Sequence, residues 1–200
     1  MKIFIGIVIA LSLAVNSHAK TELTETPHKR LDYLALSETL STEADAKLYI
    51  EPANVSFDEK WLRRYKHELD KSYQRRTRDA YGKMITKRIG SALGERFVLT
   101  DDPQDADYLA KVELTELRVN GPDNDLRKKH FVRRAGSATL HVTVSDAKSL
   151  TPVLVIKDKR KTRENIIPSL RPATKVFNRH DFNILFKRWA NTVSELIAQI

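Results

Sequence analysis

Two runs of cations are the chemistry-bearing pattern in this chain. RKKHFVRR, residues 127–134, holds Arg127, Lys128, Lys129, Arg133 and Arg134 with no acid among them. KDKRKTR, residues 157–163, holds Lys157, Lys159, Lys161 and Arg163 beside Arg160 and a single aspartate. If the second run is extended, its alternate residues Lys157, Lys159, Lys161 and Arg163 share one face. The chemistry such a face offers is attraction for phosphate or sugar-acid groups. The plainer account is a charged strand that deters edge-to-edge aggregation, a task lysine performs well. Phe131 is the one aromatic interleaved with these runs, whereas single-stranded nucleic acid needs several stacking rings. No nucleic-acid partner is expected.

Other reactive residue types do not fall into working patterns. His28, His67, His130, His141 and His180 include no pair three or four residues apart, so no helix face offers two imidazoles. His67 opens the sequence HELD, but Lys71 stands where a metalloprotease helix carries its second histidine. There is no cysteine, which excludes thiolate zinc sites and disulfides alike. No G-x-S-x-G elbow is present; Ser137, in AGSATL, sits among small residues at the start of a strand, and a triad around it would need the fold to assemble it. Asp101, Asp102, Asp105 and Asp107 surround Pro103 and read as turn formers, not as a glycosidase pair facing a cleft. Neither glycine-rich phosphate motif occurs. The expectation is no catalytic residue, no metal and no cofactor.

The elements that position the cations follow from periodicity. LYIEPANVSF reads as a first strand ending near Pro52, which cannot donate to a ladder. Asp58 is placed to cap a helix containing Trp61, Leu62 and Tyr65. From Tyr73 to Arg96, Tyr81, Met84, Ile85, Ile89, Ala92 and Leu93 recur at helical spacing, and Gly94 marks the stop. Phe97, Val98 and Leu99 read as a short buried strand. Tyr108, Ala110, Val112 and Leu114 alternate with polar residues, and the apolar phase then moves to Leu117 and Val119, which predicts a bulge near Thr115 or Glu116. Ala138, Leu140, Val142 and Val144 form the cleanest strand, and Val153 to Ile156 the next, continuing into the second cationic run. Residues 164–179 show no period and read as an ordered loop. Asp181 then caps a helix whose apolar face is Phe182, Leu185, Phe186, Trp189, Val193, Leu196, Ile197 and Ile200. This order predicts an α+β fold: an antiparallel-rich sheet of four to five strands, with a long middle helix and a C-terminal helix packed on one face.

The N-terminus sets the compartment. Lys2 precedes an apolar run from Ile3 to Val15, and Ser17 and Ala19 place small residues before Lys20. That is the layout of a cleavable secretory signal, residues 1–19, too short for the roughly 20 residues of a membrane span. Residues 20–46, rich in Thr, Glu, Ser and Ala, read as a flexible tether with a sticky patch at Leu31, Tyr33, Leu34 and Leu36. Residues 47–200 then form a single domain. Losing Lys2 lowers the formal charge from +9 to +8, a balance that favours anionic partners and solubility. The expected location is a bacterial periplasm, with no transmembrane span after cleavage and no cysteine to carry a lipid.

Several stretches together resemble a bacterial envelope family catalogued as domain of unknown function 3313. They are RLDYLAL, LYIEPANVSF, DADYLAKVELTELRVN, GSATLHVTVSDAKSLTPVLVIKDKRKTR and FKRWANTVSELI, which span most of residues 30–198. The resemblance implies an exported envelope protein of unassigned activity and carries over no catalytic residues. Members are typically lipoproteins; this chain lacks the lipobox cysteine. The leading expectation is a non-enzymatic periplasmic accessory or binding protein. Its expected partners are an anionic envelope polymer or lipid headgroup, reached through the cationic runs, and an envelope protein. The alternative is a hydrolase acting on an envelope polymer, with His141 or His180 and a buried acid brought together only by folding.

Overall fold

Alternation of apolar and polar residues builds the centre of the molecule. The computed structural model describes residues 22–40, 45–66, 69–120, 131–163 and 171–199. The expected leader and Arg127, Lys128 and Lys129 lie outside these residues. Among the described residues eight strands make one mixed sheet: β1 (Leu23–Glu25), β2 (Tyr33–Ser37), β3 (Lys47–Ile50), β4 (Asn54–Phe57), β5 (Val98–Thr100), β6 (Tyr108–Val119), β8 (Gly136–Asp146) and β9 (Pro152–Lys161). The spatial order is β1-β2-β9-β8-β6-β3-β5, with β4 also paired to β6. Two short strands, β7 (Phe131–Val132) and β10 (Arg171–Pro172), pair apart from it. The helices are α1 (Glu59–Arg64), α2 (Lys71–Leu93) and α3 (Lys175–Ile197).

The α+β class holds, but the sheet is larger than the four to five strands expected. Part of the difference lies in the expected tether. Tyr33 to Leu36 are laid against β9, with Leu34 opposite Ile156, and β1 pairs outside β2. The sticky patch therefore docks as a sheet strand, and short mixed-polarity strands of this kind leave little periodic signal. The stretch LYIEPANVSF is two strands instead of one. Glu51 still donates its N–H to the Ala110 carbonyl, but after Pro52 the Ala53 N–H turns away to the Thr86 hydroxyl at 2.9 Å. Both β3 and β4 run parallel to β6.

The strands β6, β8 and β9 form a meander, antiparallel throughout. Its bulge falls where the phase of β6 changes. Thr115 pairs with Thr139 and Arg118 with Ser137, so two residues of β6 oppose one of β8, and Glu116 takes φ 50°. Phe97 is buried, yet the following strand is not: Val98 and Leu99 are each 48% exposed on the outer edge, paired only to β3.

Both long helices cover one sheet face. Asp58 caps α1 by accepting from the Trp61 N–H at 2.7 Å, and Gly94 ends α2. The third helix begins earlier than the expected cap at Asp181. Thr174 accepts from the Phe177 N–H at 3.2 Å, and Asp181 is buried within the helix. The first turn, Lys175 to Asn178, has an exposed Val176 and Phe177, so no apolar stripe announced it. The helices run in the same direction: Tyr81 packs on Phe182 with ring centroids 4.8 Å apart, Arg88 reaches Asn183 at 3.1 Å, and Ser194 bonds Glu95. Between them and the sheet lie Trp189, Phe182, Phe186, Ile85, Ile89, Leu114, Leu140 and Leu154, all essentially sealed from water. Among the described residues no helix is long and apolar enough to cross a membrane.

Candidate functional site

The second cationic run lands on β9 with the alternation its sequence requires. Ile156 and Asp158 face the helices and are buried, so Lys157, Lys159 and Lys161 face the other way and are exposed. Across the open face, Lys157 stands opposite His141 and Tyr33, Lys159 opposite Thr139, and Lys161 opposite Ser137. Arg163 follows the strand and is exposed. At the same end of the hairpin the first run arrives: exposed Arg133 and half-buried Arg134 precede β8. Asn120 holds the Arg134 carbonyl at 3.1 Å and Thr162 donates its N–H to the Gly136 carbonyl at 2.9 Å, which fixes the two chain segments side by side.

Not every cation on this face is free. The bulge turns Glu116 outward, where it accepts from the Thr139 hydroxyl at 2.6 Å and pairs with the Lys159 ammonium at 2.9 Å. The Thr139 hydroxyl first, and Lys159 second, hold the Glu116 carboxyl below the ordinary carboxylate range. Beside it Arg118 pairs with Asp58 at 2.9 Å. Burial raises the Asp58 carboxyl, but the hydrogen bonds from Arg118 and the Trp61 N–H outweigh it and hold the group low. Lys157, Lys161 and Arg163 form no ion pair with another described residue.

The remaining candidates serve the fold or stand alone. His141 is half-buried between Lys157 and Glu113. Burial, then Lys157, pushes its pKa down against the pull of Glu113 and Glu116, so it is neutral at physiological pH. His180 is exposed on α3. Asp158, the buried acid of β9, points to the helices, where Trp189 and Arg160 hold it. The sheet thus separates it from His141. Asp105 pairs with the Lys47 ammonium at 2.7 Å, Asp107 accepts from the Lys47 N–H, and Asp102 caps a short turn, as turn formers do. His28 accepts from the Arg30 N–H. Both His67 and His130 lie outside the described residues. Among the described residues no group of three His, Asp or Glu could hold a metal.

One cluster has no signature in the sequence. Arg76 from α2 and Lys175 and Arg179 from α3 stand around a cavity with Tyr73, Tyr81 and Asn178. The i, i+4 spacing of Lys175 and Arg179 would have signalled a shared helix face, but only once the segment is known to be helical.

No family model matches the chain, and no curated protein matches it either. Solved structures do. The PelC dodecamer from Paraburkholderia phytofirmans is 9% identical over 84% of this chain and 94% of that one, at a TM-score of 0.38. A neuraminyllactose-binding hemagglutinin homolog from Helicobacter pylori is 12% identical over 77% and 83%, at 0.47. A Xanthomonas campestris protein of the family model DUF330 is 9% identical over 81% and 86%, at 0.40.

Proposed function

We propose that this is an exported, non-enzymatic accessory or binding protein of the bacterial cell envelope. Its open sheet face meets an anionic envelope component, a polymer or a lipid headgroup. The observation that carries this reading is the pair Lys157 and Lys161, exposed on one face and turned away from the helices, with exposed Arg163 following the strand, all three without acidic partners among the described residues. A flat face with spaced cations suits a repeating anion better than a small substrate needing enclosure. The secretory layout of residues 1–19 and the resemblance of the sequence to an envelope family support export. For the hydrolase alternative, His141 and Asp158 lie on opposite sides of the sheet, which speaks against that pair as its site.

The triple variant Lys157→Gln, Lys161→Gln, Arg163→Gln tests the surface. Retention on lipopolysaccharide or on murein sacculi should fall at least tenfold at low salt, and the wild-type interaction should weaken as salt rises. Retention equal to wild type removes the assignment. Export is tested separately, by sequencing the N-terminus of the protein from the periplasmic fraction of its native host, which should begin at Lys20.

A further inference from the structure

At the end of the helix pair where both α2 and α3 begin lies a cavity of about 160 Å³. A space of this size admits one six-membered ring; an engineered cavity of about 150 Å³ accepts benzene. Its floor is buried. Tyr81 is 5% exposed, Asn178 4% and Val119 1%. Its rim carries Arg76, Lys175 and Arg179, all exposed, none in an ion pair with a described residue. Arg76 does donate to the Ser72 hydroxyl. No carboxylate lines the cavity among the described residues.

Two further features point to a ligand. The Tyr81 hydroxyl has no hydrogen-bond partner among the described residues, although its ring is packed on Phe182 and Phe186. Its oxygen is not sealed from water, so it opens onto the cavity, where a ligand can meet it. Burial also pushes its pKa far up, so it remains a neutral donor. Asn178 gives its amide N–H to the Asn120 carbonyl at 3.4 Å, while its side-chain oxygen accepts from no described residue. The site therefore combines an aromatic and aliphatic floor, a few neutral polar groups, and a cationic rim.

We infer that this cavity binds a single six-membered ring bearing a carboxylate, a sugar acid of the uronate class, with Arg76 and Arg179 on the carboxylate and Tyr81 on a ring hydroxyl. Guanidinium forks match a planar carboxylate in two-point contact. A pyranose presents an apolar face to tyrosine and hydroxyls to polar groups, whereas a plain aromatic acid would leave the Tyr81 and Asn178 groups unanswered. The inference is independent of the β9 face, which lies on the other side of the sheet.

Titration of the full mature chain with sodium glucuronate, followed by calorimetry and by NMR, tests it. Saturable binding is expected, with glucose and sodium benzoate each at least tenfold weaker. Arg76→Gln with Arg179→Gln should weaken glucuronate at least tenfold. Tyr81→Phe, which deletes a hydroxyl bonded to no described residue, should keep the melting temperature and lose threefold or more in affinity. The triple β9 variant should bind glucuronate like wild type. Absence of saturable binding, benzoate equal to glucuronate, or an undiminished Tyr81→Phe complex would each overturn the proposal.

Discussion

Trp189 donates its indole N–H to the carboxylate of Asp158 at 2.6 Å, joining the C-terminal helix to the middle of β9 beneath the cationic face. Both residues are buried, and Arg160 completes the arrangement by pairing with the same carboxylate while donating to the Arg30 carbonyl. Trp189→Phe keeps most of the ring packing and deletes one donor to a buried charge. A loss of about 1–3 kcal/mol is expected by chemical denaturation. A variant as stable as wild type would show that the bond contributes nothing net.

A second prediction concerns the close approach of two strands. A Cβ placed on Gly136 would lie 1.8 Å from the Arg118 carbonyl oxygen and 2.9 Å from the Phe182 ring. The nearest obstacle is backbone, which cannot swing aside. Gly136→Ala should cost about 3 kcal/mol or more, at or above the range for overpacked cores. Thermal melting of the variant checks this, and Ser137→Ala beside it should be mild, because Ser137 faces out of the core.

The bulge makes a third, pH-dependent prediction. Glu116 has a folded pKa below its ordinary value of 4.5. The unfolded chain therefore binds the proton more readily between the two values, and stability falls as pH drops below about 4.5. At neutral pH the partly exposed pair with Lys159 is worth only about 0.5 kcal/mol. Glu116→Gln should lower stability by about that amount at pH 7 and flatten the decline in melting temperature as pH falls below about 4.5.

His141 acts in a different window. Its folded pKa is depressed below the ordinary 6.5, so the unfolded state takes up the proton first. The contribution is complete above about pH 6.5 and declines below it. In His141→Gln the stability change as pH falls below about 6.5 should be smaller than in wild type, while the acid limb set by Glu116 persists. Identical profiles in that interval would refute the assignment.

Cap chemistry gives a fifth test. Asp58 both caps α1 and receives Arg118. Asp58→Ala should cost about 1–2 kcal/mol, and Asp58→Asn, which retains the cap acceptor, should recover part of it. Chemical denaturation of the two variants side by side measures the difference.

What the sequence disclosed depended on how each element announces itself. The strands β6 and β8 carry alternation and β9 opens on the apolar run Val153–Ile156, and the Glu116 bulge was legible because the apolar phase moves between Leu114 and Leu117. The Asp58 and Gly94 boundaries were legible from single residues with one favoured role. By contrast β1 and β2 are short, and β2 places Leu34, Ala35 and Ser37 all in buried positions, so no period marks it. The first turn of α3 is announced by Thr174 alone, which competes with many other threonines. The β9 lysine row could be foreseen, since it needs only an extended chain. That Lys159 is engaged by Glu116 could not, because the bulge fixes that side chain's direction. The Arg76, Lys175 and Arg179 cluster joins residues far apart in the chain and exists only after two helices have packed.

Two helices of 23 residues each, laid side by side in the same sense, add their peptide dipoles. At about 3.5 D per peptide each contributes roughly 80 D, and an antiparallel pair would have cancelled them. Strand dipoles in the sheet offer little to offset this. The molecule therefore has an electrical bow and stern as well as a net positive charge. Its positive pole is the end where α2 and α3 start, beside Arg76, Lys175 and Arg179.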